Sequence, residues 1–143
     1  MAAFFRQLFQ WLRKSTPIPA GKTHDRARGS QAEQLAYDFL RGQGYRIVAR
    51  NYRRKFGEID LIGWDGGILA FIEVKYRSGK ARGRPVDSVH RHKRRQIVRV
   101  AKEYRIRHKL HDINYRFDVL SLQGSLEAPC LELIKNAFPE TWR

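Results

Sequence analysis

The chain has 143 residues, 42% of them hydrophobic, which suits one domain with a substantial core. Its 29 Lys and Arg residues outnumber its 14 Asp and Glu residues, and the net charge of +15 indicates a polyanionic partner such as nucleic acid. The single cysteine excludes an internal disulfide and a cysteine-based zinc site. No apolar run approaches the ~20 residues of a transmembrane helix, and we expect no signal peptide, so the expected location is the cytoplasm.

The first 28 residues are predicted to form a separate N-terminal region. Residues 1–14 carry aromatic and leucine side chains at roughly helical spacing, which predicts a short amphipathic helix packed on the domain or on a partner. The alternative is a helix that lies on a membrane surface. Residues 15–29 contain two prolines and two glycines and are typical of a linker. We therefore predict a helix and linker over residues 1–28 and one domain over residues 29–143.

A first helix of this domain is predicted to begin at Ser30 and to end near Gly42 or Gly44. Glu33 has two interpretations. It completes a capping box with Ser30, in which the glutamate accepts a hydrogen bond from the cap's backbone N–H. It also lies at the rim of the buried helix face, where it is available to an active site.

Three strands are predicted next: residues 45–53, 57–62 and 71–75, with a hairpin turn at Asp65-Gly66-Gly67. Alternation gives each of the last two strands an acidic face. These faces carry Glu58, Asp60, Ile62 and Trp64 on one strand, and Phe71, Glu73, Lys75 and Arg77 on the other. A two-residue loop places Asp60 and Glu73 on the same face, whereas a three-residue loop would separate them.

A glycine-rich basic loop is predicted at residues 78–85, and helical spacing resumes at Val86. Lys93 falls in the apolar register of this second helix, four residues from Val89 and from Ile97. Its side chain either extends outward along its own stem or points into a polar pocket facing the sheet.

Two more strands are predicted at residues 113–122 and 130–134. Arg116 and Asp118 share one face of the first of these, where a structural ion pair is the favoured interpretation. The predicted order is helix, three strands, helix, two strands. It indicates the α/β class: a single three-layer domain with a central mixed sheet flanked by helices.

Asp60, Glu73 and Lys75 together suit phosphodiester hydrolysis. Mg²⁺ prefers carboxylate oxygens and retains several waters, and an adjacent ammonium orients a water and stabilises charge on phosphate. The alternative is a solvated sheet face of cross-strand ion pairs, each worth only ~0.2–1 kcal/mol. Apolar neighbours on both strands favour the first interpretation, because a buried carboxylate without a partner is costly.

At these residues the chain resembles the PD-(D/E)XK nuclease superfamily, through Asp60 and the Glu73-x-Lys75 tripeptide. A longer series of motifs is similar to the YraN family of endonuclease-like proteins, from about residue 29 to residue 138. The series consists of Gly29-x-x-Ala32-Glu33, Gly44-Tyr45, Arg50-Asn51-Tyr52-Arg53, GEIDLI at 57–62, FIEVKYR at 71–77, Lys93, Arg116-Phe117-Asp118-Val119 and Asn136-Ala137-Phe138. The chain departs from the family at Ala32, where a glycine usually precedes the glutamate.

The resemblance implies a restriction-endonuclease-like, Holliday-junction-resolvase-like core. It also implies a catalytic set with Mg²⁺ or Mn²⁺ as cofactor, in which the first three residues bind the metal: Glu33, Asp60, Glu73 and Lys75. Lys93 becomes a pocket or phosphate contact, and Glu58 and Arg77 lie at the rim. The candidate nucleic-acid contacts are Arg53, Arg54, Lys55, Arg77, Lys80, Arg82, Arg84, Lys93 and Arg94.

The favoured function is a metal-dependent, structure-selective endonuclease of DNA repair or recombination, acting on branched, flapped or single-stranded DNA. RNA as a substrate and a homodimer stay open, and a membrane partner is not expected. The alternative is a non-catalytic nucleic-acid-binding protein that retains the nuclease fold. A third hypothesis is a protein recruited to a membrane or partner by residues 1–14.

Overall fold

The computed structural model describes residues 22–79, 87 and 89–141 and contains two helices and five strands in that range. The elements are α1 (Lys22–Gly42), β1 (Arg46–Arg54), β2 (Gly57–Asp65), β3 (Ile68–Arg77), α2 (Arg91–Arg107), β4 (Asn114–Gln123) and β5 (Cys130–Phe138). This order confirms the predicted succession of helix, three strands, helix and two strands.

The five strands form one sheet in the order β1-β2-β3-β4-β5. All neighbours are antiparallel except β3 and β4, which are parallel. Parallel neighbours need a crossover connection, and α2 lies in that connection between β3 and β4. The predicted α/β class with a mixed sheet flanked by helices is confirmed, and β1 and β5 are its edge strands.

Each helix covers part of the sheet with an apolar face. In α1 the buried positions recur with helical spacing and pack against β2, β3 and β4; they are Ala32, Leu35, Ala36 and Leu40. In α2 the buried positions pack against a second cluster of buried strand residues; these positions are Ile97, Val100, Ala101 and Tyr104. Close approach of α2 requires a glycine in β2, because a Cβ at Gly57 would lie 3.0 Å from Gln96 Cβ.

The first helix is longer than its sequence pattern indicated. It begins at Lys22, so the linker predicted for residues 15–29 is wrong from residue 22 onward, and Ser30 lies inside the helix. A capping box needs Ser30 at the helix start, and that interpretation of Glu33 is therefore wrong. No proline follows Pro19 until Pro85, and polar helix formers extend the helix through Gly29. The predicted helix of residues 1–14 lies outside the described residues.

Two other boundaries differ from prediction. Helix α2 begins at Arg91 with His90 as its extended N-cap, so Val89 is buried ahead of the helix, and Val86 lies outside the described residues. Strand β5 does not end at Ile134 but continues to Phe138, whose ring stacks on Phe117 at 5.1 Å. Within the described residues no helix combines the length and apolar character that crossing a membrane requires.

Candidate active site

The hairpin between β2 and β3 brings two carboxylates together. Its loop has two residues, Gly66 and Gly67, because Asp65 pairs with Ile68. The left-handed φ of 58° at Gly66 suits such a tight turn. This confirms the even loop on which the predicted pairing depends. The paired residues end at Leu61 and Ile72, and the next positions across the two strands are Asp60 and Glu73.

Asp60 is a buried carboxylate that is only partly compensated. Its Oδ2 accepts a hydrogen bond of 2.8 Å from the backbone N–H of Val74. Burial, and secondly the charge of Glu73, raise the pKa of Asp60 from 3.8 to about 7. Two buried carboxyl groups side by side resist losing both protons.

Glu73 lies between two lysines. Its side chain is 5% exposed, its Oε1 lies 3.3 Å from Lys75 Nζ, and its Oε2 lies 3.8 Å from Lys93 Nζ. Lys93 therefore points into the polar pocket rather than outward to solvent. Among the described residues, Glu73 Oε2 has no hydrogen-bond partner although it is buried. Such an atom is costly in a native structure unless a water or a ligand contacts it.

Glu33 enters this region from α1. It is partly buried, and burial followed by the charge of Asp60 raises the pKa of Glu33, whereas a hydrogen bond from Asn51 lowers it. Glu58 also contributes to the raised pKa. The structure thus places Glu33 within electrostatic range of Asp60, although on the side of the sheet that α1 covers.

The alternation of β2 breaks at Asp60. Ile59 and Ile62 lie in the same apolar cluster with Trp64 packed against it, although strict alternation would separate Ile59 from Ile62. The prediction that Glu58 shares a face with Ile62 and Trp64 is therefore wrong. This break, together with the end of the β2–β3 pairing, leaves Asp60 at an irregular point of the sheet.

The residues fit a hard divalent cation in donor type and in charge. Asp60 and Glu73 supply adjacent carboxylate oxygens, and the orphaned Glu73 Oε2 is the kind of atom that a cation would satisfy. In residues 22–79, 87 and 89–141, no three Asp, Glu, His or Cys side chains form a ready-made metal cage. Glu33 therefore does not form such a cluster with Asp60 and Glu73 in the metal-free structure, and its role as a metal ligand stays a prediction.

The predicted nucleic-acid contacts divide into three groups. Lys55 is exposed in the β1–β2 turn, and Arg53 pairs with Glu58 at 3.0 Å on the surface. Other members also make internal contacts: Arg54 pairs with Glu103, and Arg94 donates to the Val89 carbonyl at 2.6 Å. Arg77 is half-buried near the end of β3. The loop members Lys80, Arg82 and Arg84 lie outside the described residues.

Arg116 and Asp118 form a separate, fully paired cluster. Arg116 Nε donates to both carboxylate oxygens of Asp118, at 2.9 and 3.1 Å, and Arg116 Nη2 contacts Asp65 at 2.5 Å. The Tyr45 hydroxyl and the Asn136 backbone N–H also donate to Asp118. The favoured interpretation of a structural pair fits this geometry.

Sequence reasoning missed Asn51 as a site residue. It lies opposite Asp60 on β1, between the pairs Arg50–Leu61 and Tyr52–Ile59, and its side chain lowers the pKa of Glu33. A polar Asn inside an arginine-rich strand was the available signal, because Asn adopts left-handed backbone conformations more readily than most residues. The pattern alone does not show which conformation it takes.

Comparison with known proteins identifies one family. A family model described as "Uncharacterised protein family UPF0102" matches residues 32–122, a range that contains every described member of the site. A UPF0102 protein of Clostridium kluyveri is 45% identical over 112 residues, which cover 77% of this chain and 92% of the relative. UPF0102 proteins of Methylococcus capsulatus and Geobacter sulfurreducens are each 39% identical, covering 80% and 85% of this chain and 93% and 96% of those relatives.

Proposed function

The chain belongs to the UPF0102 family, the family of YraN, and we propose that it is a divalent-metal-dependent endonuclease that hydrolyses phosphodiester bonds in DNA. One observation carries the proposal. Two adjacent buried carboxyl groups, Asp60 and Glu73, are left without full compensation beside two lysines. A fold gains nothing by keeping such a group unless a ligand completes it.

Asp60 and Glu73 would hold Mg²⁺ or Mn²⁺ through their facing oxygens. When bound, the cation supplies Lewis acidity toward a phosphate oxygen and toward the attacking water. Glu33 would accept a hydrogen bond from a water on the Asp60 side, because Mg²⁺ retains several waters when it binds. The Val74 N–H fixes the direction of the Asp60 carboxylate through its hydrogen bond of 2.8 Å.

Lys75 is the residue best placed to act on the reacting phosphate. It follows Glu73 on the same face of β3, its ammonium lies 3.3 Å from Glu73, and its side chain is about one-third exposed. The ammonium therefore reaches both the carboxylate pair and an incoming strand. Water adds to phosphorus and gives up a proton to solvent, while the bond to the leaving sugar oxygen breaks and that oxygen takes a proton from solvent. Lys75 offsets the negative charge that accumulates on the phosphate. Lys93 adds a second positive charge from α2.

The surrounding charge favours DNA as the substrate. Helix α2 has one acidic residue, Glu103, in seventeen, and no acidic residue in its first turn. The whole chain carries +15. Such a surface attracts a polyanion largely independently of its sequence. We propose structure-selective cleavage of branched, flapped or single-stranded DNA, in repair or recombination.

A cleavage panel tests the proposal. Flap, four-way junction, single-stranded and duplex DNA are incubated with Mg²⁺ or Mn²⁺ and with wild type, Lys75→Ala or Lys135→Ala. Lys135 is a matched control, because it is a half-exposed lysine paired with Asp65. Wild type and Lys135→Ala should cleave at least one branched or single-stranded substrate, and Lys75→Ala should not. Equal cleavage by all three proteins would place the activity outside this site.

A second candidate is a nucleic-acid-binding protein without turnover, which the basic surface of α2 favours on its own. It predicts salt-sensitive binding with a log–log slope of about −0.9 per neutralised phosphate of duplex DNA. It also predicts that Lys75→Ala binds as wild type does and that no substrate in the panel is cut.

A further inference from the structure

The outer face of α2 carries a line of positive charge, here named the basic stripe. Its exposed basic residues recur at intervals of three and four along the helix; they are Arg91, Arg95, Arg99 and Lys102. At ~100° per residue these positions lie within about 80° of one another, on the side opposite the buried Ile97 and Val100. The helix rises ~16 Å from the first of them to the last, at about 1.5 Å per residue.

The basic stripe is not neutralised by its own helix. Glu103 is the one acidic residue of α2. In the described part of the chain its carboxylate pairs with Arg54 at 3.0 Å and with Arg107 at 3.8 Å, and it accepts a hydrogen bond from Tyr52. Like charges four residues apart repel one another on a helix, and cations in a first turn oppose the helix dipole. A polyanion lying along the helix would offset this repulsion.

The β1–β2 turn widens the same surface. The Arg99 guanidinium lies 4.3 Å from the centre of the Phe56 ring, a contact that restricts where this side chain points. A Cβ at Gly57 would lie 3.0 Å from Gln96 Cβ, so the turn packs closely against the middle of α2. Lys55 is exposed in this turn and adds its charge beside the basic stripe.

The chemistry of this surface suits the backbone of duplex DNA better than a single strand. Proteins that hold single strands combine positive charge with aromatic side chains on which bases stack. Tyr104 is the one Phe, Tyr or Trp residue of α2, and it is buried. Among the described residues the large hydrophobic side chains that are exposed are Val48 and Ile106, and neither is aromatic. The basic stripe therefore offers contacts to phosphates and no platform for bases.

Resting on the function proposed above, we propose that the basic stripe binds the phosphates of a duplex arm, so that the substrate is branched or flapped DNA rather than a single strand alone. Over ~16 Å each strand of a duplex presents about five phosphates, one per ~3.4 Å, which suits a line of four cations. Lys93 projects from the opposite face of α2 toward Glu73. The arm thus lies about one helix diameter, ~10 Å, from the carboxylates, and the strand to be cut has to leave the duplex to reach them.

Equilibrium binding in EDTA tests this role independently of cleavage. Fluorescence anisotropy at several salt concentrations follows a blunt duplex and an oligothymidine single strand of the same length. The test variant is Arg95→Gln with Lys102→Gln, because Gln forms helices about as well as Arg and Lys. The matched control is Arg46→Gln with Lys135→Gln, which removes the same two charges from exposed positions on β1 and β5. Circular dichroism and thermal unfolding establish that both variants are folded.

The log–log salt slope for the duplex should become shallower by about 2 in the test variant, because each lost phosphate contact removes about 0.9. Its slope for the single strand, and both slopes of the control, should match wild type. An unchanged duplex slope would overturn the proposal, and so would an equal change for duplex and single strand. Wild-type binding to anionic vesicles that the test variant loses, with an unchanged duplex slope, would assign the basic stripe to a membrane surface and overturn it too.

Cleavage separates this inference from the endonuclease proposal. On a flap substrate the test variant should raise KM and keep kcat, because the basic stripe binds DNA away from the reacting phosphate. Loss of kcat at unchanged KM, or wild-type cleavage of the single strand as fast as of the flap, would overturn the duplex-binding role. If wild type cleaves no substrate while the duplex slope shifts as expected, that role stands and the endonuclease proposal fails. If wild type cleaves the flap while the duplex slope is unchanged, the endonuclease proposal stands and the duplex-binding role fails.

Discussion

Two buried aspartates of the same sheet are arranged in parallel ways and compensated very differently. Asp60 lies opposite Asn51 near one edge, and Asp118 lies near Asn136 at the other; both asparagines have left-handed φ angles. Asp118 is fully buried and accepts hydrogen bonds from Arg116, Tyr45 and the Asn136 backbone. Asp60 accepts one from Val74 and faces another carboxylate, Glu73.

The difference separates structure from function. The Asp118 cluster has a guanidinium aligned with its carboxylate, so its charge is compensated within the fold. Asp60 keeps a raised pKa and Glu73 keeps an orphaned oxygen, and both are costs that the Asp118 cluster does not carry. Lys75 and Lys93 form ion pairs with Glu73 at 3.3 and 3.8 Å, which are longer than the 2.9 Å contact of Arg116 with Asp118. We infer that the first cluster stabilises the fold and that the second is kept for chemistry.

The largest expected effect is on cleavage. Glu73→Gln removes one charge of the incompletely compensated pair and should lower cleavage by at least about 10²–10³-fold, because the site then lacks a carboxylate for the cation. DNA binding should be retained. The control is Glu132→Gln, an exposed glutamate of β5. Gel-based cleavage and fluorescence anisotropy measure the two properties, and full activity in Glu73→Gln would place the chemistry elsewhere.

The next effect concerns the compensated cluster. Arg116→Met leaves the carboxylate of Asp118 buried without its guanidinium and should lower the free energy of unfolding by about 3–5 kcal/mol. Urea denaturation followed by circular dichroism measures it. A loss below ~1 kcal/mol would contradict the view that this pair stabilises the fold.

Asp60→Asn, in contrast to Arg116→Met, should raise the free energy of unfolding of the metal-free protein at pH 8. The pKa of Asp60 is 3.8 ordinarily and about 7 in the folded chain, so the folded state holds this proton more tightly and stability falls as pH rises between these values. This difference in pKa corresponds to a loss of at most ~4 kcal/mol in the free energy of unfolding. Asn avoids this loss because it does not ionise, and its side-chain oxygen still accepts a hydrogen bond from Val74. Unfolding of both proteins in EDTA between pH 4 and pH 8 tests this. Equal pH dependence in both would contradict the assignment.

The smallest effect is expected at the exposed end of the basic surface. Lys55→Ala should lower DNA affinity less than tenfold at moderate salt and reduce the log–log salt slope by about 1, the contribution of one phosphate contact. Lys135→Ala should leave the slope unchanged, because that lysine is paired with Asp65. Identical slopes in wild type and Lys55→Ala would remove Lys55 from the interface.

Much of the site was predictable because it depends on local rules. A two-residue turn at Gly66-Gly67 determines which residues of β2 and β3 face one another, and this register places Asp60 beside Glu73. Lys75 lies two residues after Glu73 and therefore on the same face of β3. The order of helices and strands followed from hydrophobic period, which also gave the fold class. These features depend only on residues that are close to one another in the sequence.

Tertiary structure decided the rest, because it depends on contacts between distant segments. Packing of α1 on the sheet, within a helix that begins at Lys22, makes Glu33 a site neighbour instead of a cap. Packing of α2 turns Lys93 toward Glu73. Asn51, with its left-handed φ of 50°, lies between Arg50, which contacts α1, and Tyr52, which contacts α2, and no local pattern predicts these contacts. The sequence by itself determined the carboxylate pair and its lysine, and only the tertiary structure decided what surrounds and orients them.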